Sequence, residues 1–202
     1  MNLARLFLLF VFCLFAALSS EAQYIAVGGG VVSSEDRTEP AFSTNFKRSG
    51  LIAVDAGASV FPFLTAGVHY SFTKPEVLFR RADSFGSSAF LNVGTHTFTF
   101  DARLRTPTIA GWRLYGLAGA GMARYNPEIE QEVETPFPPG TRPESETRPV
   151  FTFGGGVERS IFPLVRLKFE ARDYVSSSLG RLLGREETWH RVAFIGGVVI
   201  GK

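Results

Sequence analysis

A chain of 202 residues is long enough for one folded domain and short for two. Its formal charge of +2 is small and scattered, which excludes nucleic acid as a natural partner. Apolar residues at 45% are ordinary for a folded protein. The 21 glycines, many set inside apolar runs, favour closely packed strands over helices, where each would cost about 1 kcal/mol.

Met1 to Ala22 reads as a secretory signal peptide. Arg5 gives a positive start, Leu6 to Leu18 is an unbroken apolar run, and Ser20 and Ala22 are small residues at the cleavage-determining positions. The run falls short of the ~20 apolar residues that a membrane-crossing helix needs. The expected organisation is therefore a signal peptide, 1–22, and a single mature domain, 23–202. The only cysteine, Cys13, lies in the leader, and the bulky Phe12 before it does not suit a lipid-attachment signal. The mature chain is expected to carry no disulfide and no cysteine metal site.

Eight strand candidates follow: Tyr24–Ser33, Gly50–Val60, Leu64–Phe72, Phe90–Arg105, Trp112–Tyr125, Val150–Ser160, Val165–Val175 and His190–Ile200. Each matches the ~9–11 residues of a tilted strand crossing a bilayer. The connections alternate long and short. Ser34–Ser49, Thr73–Ala89, Asn126–Pro149 and Ser176–Trp189 are long, whereas Phe61–Phe63, Thr106–Gly111 and Ile161–Leu164 are short. That alternation suits a membrane barrel with tight turns at one end and loops at the other. All 11 prolines are expected in connections or at strand boundaries. The loop after Tyr125 carries Glu128, Glu130, Glu132, Glu134, Glu144 and Glu146 among prolines and reads as mobile. Ser178–Thr188 is the one possible helix.

Alternation along the strands defines two faces. In the seventh, Val165, Leu167, Phe169 and Ala171 alternate with Arg166, Lys168, Glu170 and Arg172. The second sets Ile52, Val54, Ala56, Ala58 and Val60 against Asp55 and Ser59. The third sets Leu64, Ala66, Val68, Tyr70 and Phe72 against Thr65, Gly67, His69 and Ser71. The fourth sets Phe98, Phe100, Ala102 and Leu104 against a row of threonines with Asp101, Arg103 and Arg105. The fifth is expected to turn Ala118, Ala120 and Met122 outward and Gly119 and Gly121 inward. The first and eighth are apolar on both faces and leave their register open. Aromatic belts are expected at both rims: Phe61, Phe63, Trp112 and Phe162 at the short turns, and Tyr70, Phe72, Phe90, Tyr125, Tyr174 and Trp189 at the long loops.

In a soluble sandwich the apolar face would be the core; in a membrane barrel it meets lipid and the charges face the lumen. The lumen of an eight-stranded barrel is filled by side chains. Charges inside it must be paired, because an unpaired buried charge is costly. The expected interior ion-pair network is Asp55, Asp101, Arg103, Arg105, Arg113, Glu158, Arg166, Lys168, Glu170 and Arg172, with His69 nearby; its role is read as structural, with a narrow anion-preferring path as the functional alternative. No catalytic, cofactor or metal site is expected. There is no G-x-S-x-G or H-E-x-x-H, the acidic loop lacks an EF-hand pattern, and no helix follows the GGG runs at Gly28–Gly30 and Gly154–Gly156 to hold phosphate. His69, His96 and His190 are read as interior or rim residues.

The stretches WRLYGLAGAGMARY and FTFGGGVERSIFPLVRLKFEARDY resemble the central hairpins of small bacterial outer-membrane barrels of the OmpA/OmpX-like kind. The matching features are the GGGVE strand end, the proline turn and the alternating charged strand. The resemblance implies an all-β, eight-stranded antiparallel up-and-down transmembrane barrel in a Gram-negative outer membrane, with both termini in the periplasm. It implies outer-membrane lipids as surroundings, periplasmic chaperones and the barrel-assembly machinery as partners in biogenesis, and a monomer. Such barrels usually end in an aromatic residue, whereas this sequence ends Val199-Ile200-Gly201-Lys202. The expected function is structural or surface interaction through the long loops, not catalysis. The alternatives are a soluble lipocalin-like ligand carrier, a lipid-modifying enzyme at the rim, and a narrow pore.

Overall fold

The computed structural model describes residues 23–34, 37–38, 42–81, 88–133, 144–177 and 188–201. The leader 1–22, the middle of the acidic loop and most of the possible helix Ser178–Thr188 lie outside the described residues, as does Lys202. The elements are β1 (Gln23–Ser34), β2 (Arg37–Thr38), β3 (Phe42–Phe46), β4 (Ser49–Phe61), β5 (Leu64–Thr73), β6 (Glu76–Arg81), β7 (Ser88–Arg105), β8 (Trp112–Val133), β9 (Glu146–Phe162), β10 (Val165–Ser177) and β11 (Thr188–Gly201). Among the described residues no helix is long and apolar enough to cross a membrane.

Eight of these strands close on themselves in the order β1-β4-β5-β7-β8-β9-β10-β11, all neighbours antiparallel. The barrel closes where β1 pairs with β11, from Tyr24 opposite Gly201 to Ser34 opposite Arg191. Closure leaves no unpaired sheet edge around the barrel wall. The eight expected strands are these eight.

Three tight turns and both ends of the described chain lie at one end. Phe61-Pro62-Phe63-Leu64 and Phe162-Pro163-Leu164-Val165 repeat one device, a proline that presets φ at the first turn position, each followed or preceded by a register shift. The third turn, between β7 and β8, closes on Ile109 opposite Trp112, with Ala110 and Gly111 both at positive φ (50° and 81°). That is the hairpin geometry matching the natural twist of paired strands.

At the other end the wall runs further than expected. The loops 34–49 and 73–89 contain strands: β3 pairs with β6, and β6 with β7, so β3 and β6 extend the lines of β4 and β5. Pro75, lacking an N–H, stands in the break between β5 and β6, although its carbonyl accepts from Val93 N at 3.0 Å. β8 continues through Asn126–Val133, where a mobile loop was expected, and Glu128 pairs with Lys74 at 2.8 Å. Pro127 and Pro149 therefore sit inside strands. Each lies where its strand has one neighbour: β9 joins β8 only up to Tyr125, and β10 joins β9 only from Val150. A strand edge is where proline is tolerated.

The two faces follow the alternation. Ile52, Phe100, Leu104, Met122, Phe169 and Phe194 are exposed on the outside, while Thr97, Thr99, Asp101, Arg103, Lys168 and Glu170 are buried inside. Gly119 and Gly121 point inward as expected. β1 and β11 resolve as Tyr24, Ala26, Val32, Trp189, Arg191, Ala193, Ile195 and Val199 inward. One expectation fails. Tyr125, Tyr174 and Trp189 do not form an outer belt at the loop end; they are buried inside, in a cluster with Val32, Leu51, Leu91, Val93 and Val150. Their rings cover the charged middle, and burial of their large area outweighs a rim position. Tyr70 and Phe72 do face outward, packed on His96. The side chain of Phe90 lies outside the described set.

Inward glycines make room for the charges. Arg172 lies across from Gly154, Glu170 from Gly156, Lys168 from Gly197, and Asp101 from both Gly67 and Gly119. The rings of Tyr24 and Tyr115 lie against Gly57 and Gly156, where an added Cβ would come within 2.8 and 2.7 Å of ring atoms. A narrow barrel can hold long side chains on one strand only where its neighbour has none.

Candidate functional site

The interior chemistry starts from the period of two on β4, β5, β7, β9 and β10, which aims every second side chain at one axis. Asp55 on β4 is the hub. Its Oδ1 meets His69 Nδ1 at 2.8 Å and Arg103 at 2.5 Å, and its Oδ2 meets Lys168 Nζ at 2.5 Å. Glu170 on β10 accepts from Arg172 Nε at 2.9 Å and from the Tyr115 hydroxyl at 2.7 Å, with Lys168 at 3.6 Å. Asp101 on β7 takes Arg172 at 2.7 Å and the Thr99 hydroxyl at 2.8 Å. His69, wholly enclosed, passes its other ring nitrogen to the Tyr174 hydroxyl at 2.7 Å. Three cations and three carboxylates thus balance in the middle of the barrel.

Toward the short turns stands a second group. Arg166 Nε lies 3.1 Å from Glu158 Oε2, and Arg105 lies 3.9 Å from Glu158 Oε1 with its guanidinium over the Tyr24 ring. Toward the loops, Arg191 is buried, and among the described residues no carboxylate lies beside it. The rings of Tyr125, Tyr174 and Trp189 surround it at 5.2–5.4 Å, and Thr97 Oγ1 lies 3.5 Å away. Cation–π attraction holds it where a salt bridge would otherwise be needed.

Nine of the ten residues expected in the network are buried here together. Arg113 departs. It points inward at the rim, directly across from Glu158, yet its guanidinium donates to Thr108 Oγ1 in the β7–β8 turn at 2.9 and 3.2 Å. Tyr115 on β8 was missed, and so were Tyr24 and Arg191, which sit on β1 and β11, apolar on both faces and sending no alternation signal. The placement of these last two was legible only once neighbours fixed the register.

Asp55, His69 and Asp101 lie close enough to share a cation. Arg103, Lys168 and Arg172 already occupy their oxygens, so a metal would add charge to a site that has its counter-ions. His69 is sealed from any substrate. His96 and His190 face outward, the latter paired with Asp173 at 2.7 Å. On the outer wall, a shallow depression of about 710 Å³ is lined by alanines, among them Ala58, Ala66, Ala102 and Ala118.

No family model matches the chain, and no curated protein matches it in sequence. Solved structures match it in fold. Neisserial surface protein A (NspA) superimposes with a TM-score of 0.58 at 12% identity, over 89% of this chain and 97% of that one. The outer membrane protein OprG from Pseudomonas aeruginosa gives 0.55 at 10% identity, over 91% and 96%. Ail, the attachment invasion locus protein of Yersinia pestis, in complex with the heparin analogue sucrose octasulfate, gives 0.50 at 14% identity, over 90% and 99%. The chain is an all-β protein with the closed, eight-stranded antiparallel barrel of these outer-membrane proteins.

Proposed function

We propose that this chain is an integral outer-membrane barrel of a Gram-negative bacterium, of the OmpA/OmpX-like kind, with a lumen closed by its own side chains. The observation that carries the reading is the inversion of its faces. The outside is apolar from Ile52 round to Phe194, and the charges are buried within. A water-exposed wall of this kind would be an aggregation surface, whereas acyl chains solvate it. The leader 1–22 is removed on export, and the termini and tight turns face the periplasm. Outer-membrane lipids surround the wall, and periplasmic chaperones and the assembly machinery deliver the chain, which works as a monomer.

In this reading the ion pairs and the aromatic cap of Tyr125, Tyr174 and Trp189 plug the barrel, and the role is structural or one of surface interaction through the long loops. A charged interior argues against a lipocalin-like carrier, whose lumen would be apolar. The burial of His69 argues against chemistry in the lumen. A solved complex of Ail with a sulfated sugar analogue is one case of this architecture presenting a binding surface; for this chain the surface ligand is unassigned. Membrane fractionation with heat-dependent gel migration is the test. Retention in the membrane through carbonate wash, with a faster-migrating unheated form, is expected; release into the wash would overturn it. Planar-bilayer recording should show no steady conductance.

A further inference from the structure

The charges of the interior do not balance evenly along the barrel. In the middle, Arg103, Lys168 and Arg172 face Asp55, Asp101 and Glu170. At the short-turn mouth, Arg105 and Arg166 face one carboxylate, Glu158, and Arg113 stands beside them on the neighbouring strand. Glu158 lies across the β8–β9 ladder from Arg113, 3.1 Å from Arg166 Nε and 3.9 Å from Arg105, too far for a hydrogen bond in the last case. Arg166 donates its NH1 to Gly201 O at 3.0 Å, and Arg113 is held by the hydroxyl of Thr108. Among the described residues, the Nε and NH2 groups of Arg105 and the NH2 group of Arg166 are buried without a hydrogen bond, and so are both Glu158 oxygens, which meet Arg166 and Arg105 only as ion pairs. Buried guanidinium donors normally find partners, and each one left without costs stability.

We propose that the short-turn mouth is a binding site for a phosphate-class oxyanion, held by Arg105, Arg113 and Arg166. Guanidinium forks fit tetrahedral oxyanions bidentately, which favours such a group over a monatomic anion. Glu158 sets the limit: it keeps Arg166 oriented and meets Arg105 only at 3.9 Å, beyond hydrogen-bond reach. Arg113, the only one of the three not fully buried, can swing from Thr108 onto an incoming anion. The same chemistry is offered by free inorganic phosphate and by the headgroup of an anionic phospholipid at the adjoining rim. The site depends on the geometry of the mouth and is the same whichever membrane surrounds the wall.

The experiment is thermal unfolding of the full-length mature chain in neutral detergent, titrated with inorganic phosphate against chloride at matched ionic strength. A second arm uses nanodiscs of phosphatidylcholine with and without phosphatidic acid. A saturable rise in the midpoint with phosphate, or with phosphatidic acid alone, supports the site, and which arm responds names the source. Arg113→Gln should weaken the response about tenfold, which corresponds to roughly 1.4 kcal/mol. Because Arg113 is a rim residue, this variant should fold; Arg124→Gln, exposed on the outer wall at the other end, should leave the response unchanged. Equal shifts with chloride, no shift in either arm, or an unaltered response in Arg113→Gln would overturn the proposal.

Discussion

Asp55 and Lys168 are 113 residues apart in the chain and meet at 2.5 Å in the middle of the barrel. The same carboxylate also holds Arg103 and His69. Removing it strands two buried cations with no other counter-ion as close. Asp55→Asn should cost about 3–5 kcal/mol, the usual loss when one partner of a buried pair is removed. Urea titration of the protein in detergent micelles measures this. Asp55→Asn with Lys168→Met should recover part of the loss; an Asp55→Asn midpoint equal to wild type would remove the hub role.

Arg172 and Arg191 are both buried, but only the first touches carboxylates, those of Glu170 and Asp101. Replacing each by Met separates the two ways of keeping a charge inside. Arg172→Met should lose about 3–5 kcal/mol because Asp101 loses its cation and Glu170 its nearest one. Arg191→Met removes a charge held by ring faces and the Thr97 hydroxyl, and the change should stay within about 1 kcal/mol as desolvation relief offsets the lost cation–π contacts. Equal losses in the two variants would show that the aromatic cage does not work this way.

Phe169 stands exposed on the outer wall of β10, between the buried Lys168 and Glu170. In lipid, Phe169→Arg near the midplane should cost about 2–4 kcal/mol of folding free energy. On a water-facing wall the same change would be harmless or would improve solubility. Refolding into phosphatidylcholine vesicles, followed by tryptophan emission, decides between them.

Gly156 and Gly116 test how tightly the inside is packed. A Cβ on Gly156 would overlap the Phe169 carbonyl oxygen and fall 2.5 Å from the Tyr115 hydroxyl oxygen, while at Gly116 the nearest atom is 4.0 Å away. Gly156→Ala should destabilise by about 1–3 kcal/mol through overpacking. Gly116→Ala, open to the outside, should be neutral or slightly stabilising. Thermal midpoints of the two single variants are the measurement, and similar values would mean that both the Tyr115 ring and the β10 backbone at Phe169 yield.

Much of this architecture was legible in the order of residues. Strands such as β7 and β10, with apolar and charged residues in strict turn, declared both their structure and their two faces, because a period of two admits one pleated answer. Proline and glycine at the tight turns marked where the chain must reverse. So the strands, their alternation of connections and most of the inward charges needed no coordinates. Tertiary structure alone decided three things. It set the register of β1 and β11, where both faces are apolar and only neighbours can choose, and so placed Tyr24 and Arg191 inside. It turned Tyr125, Tyr174 and Trp189 inward, since a strand-end aromatic has the same sequence whether it faces rim or lumen. And it chose the partners of each charge, because Asp55 meets Lys168 only after eight strands have closed, a contact between distant residues that no local pattern encodes.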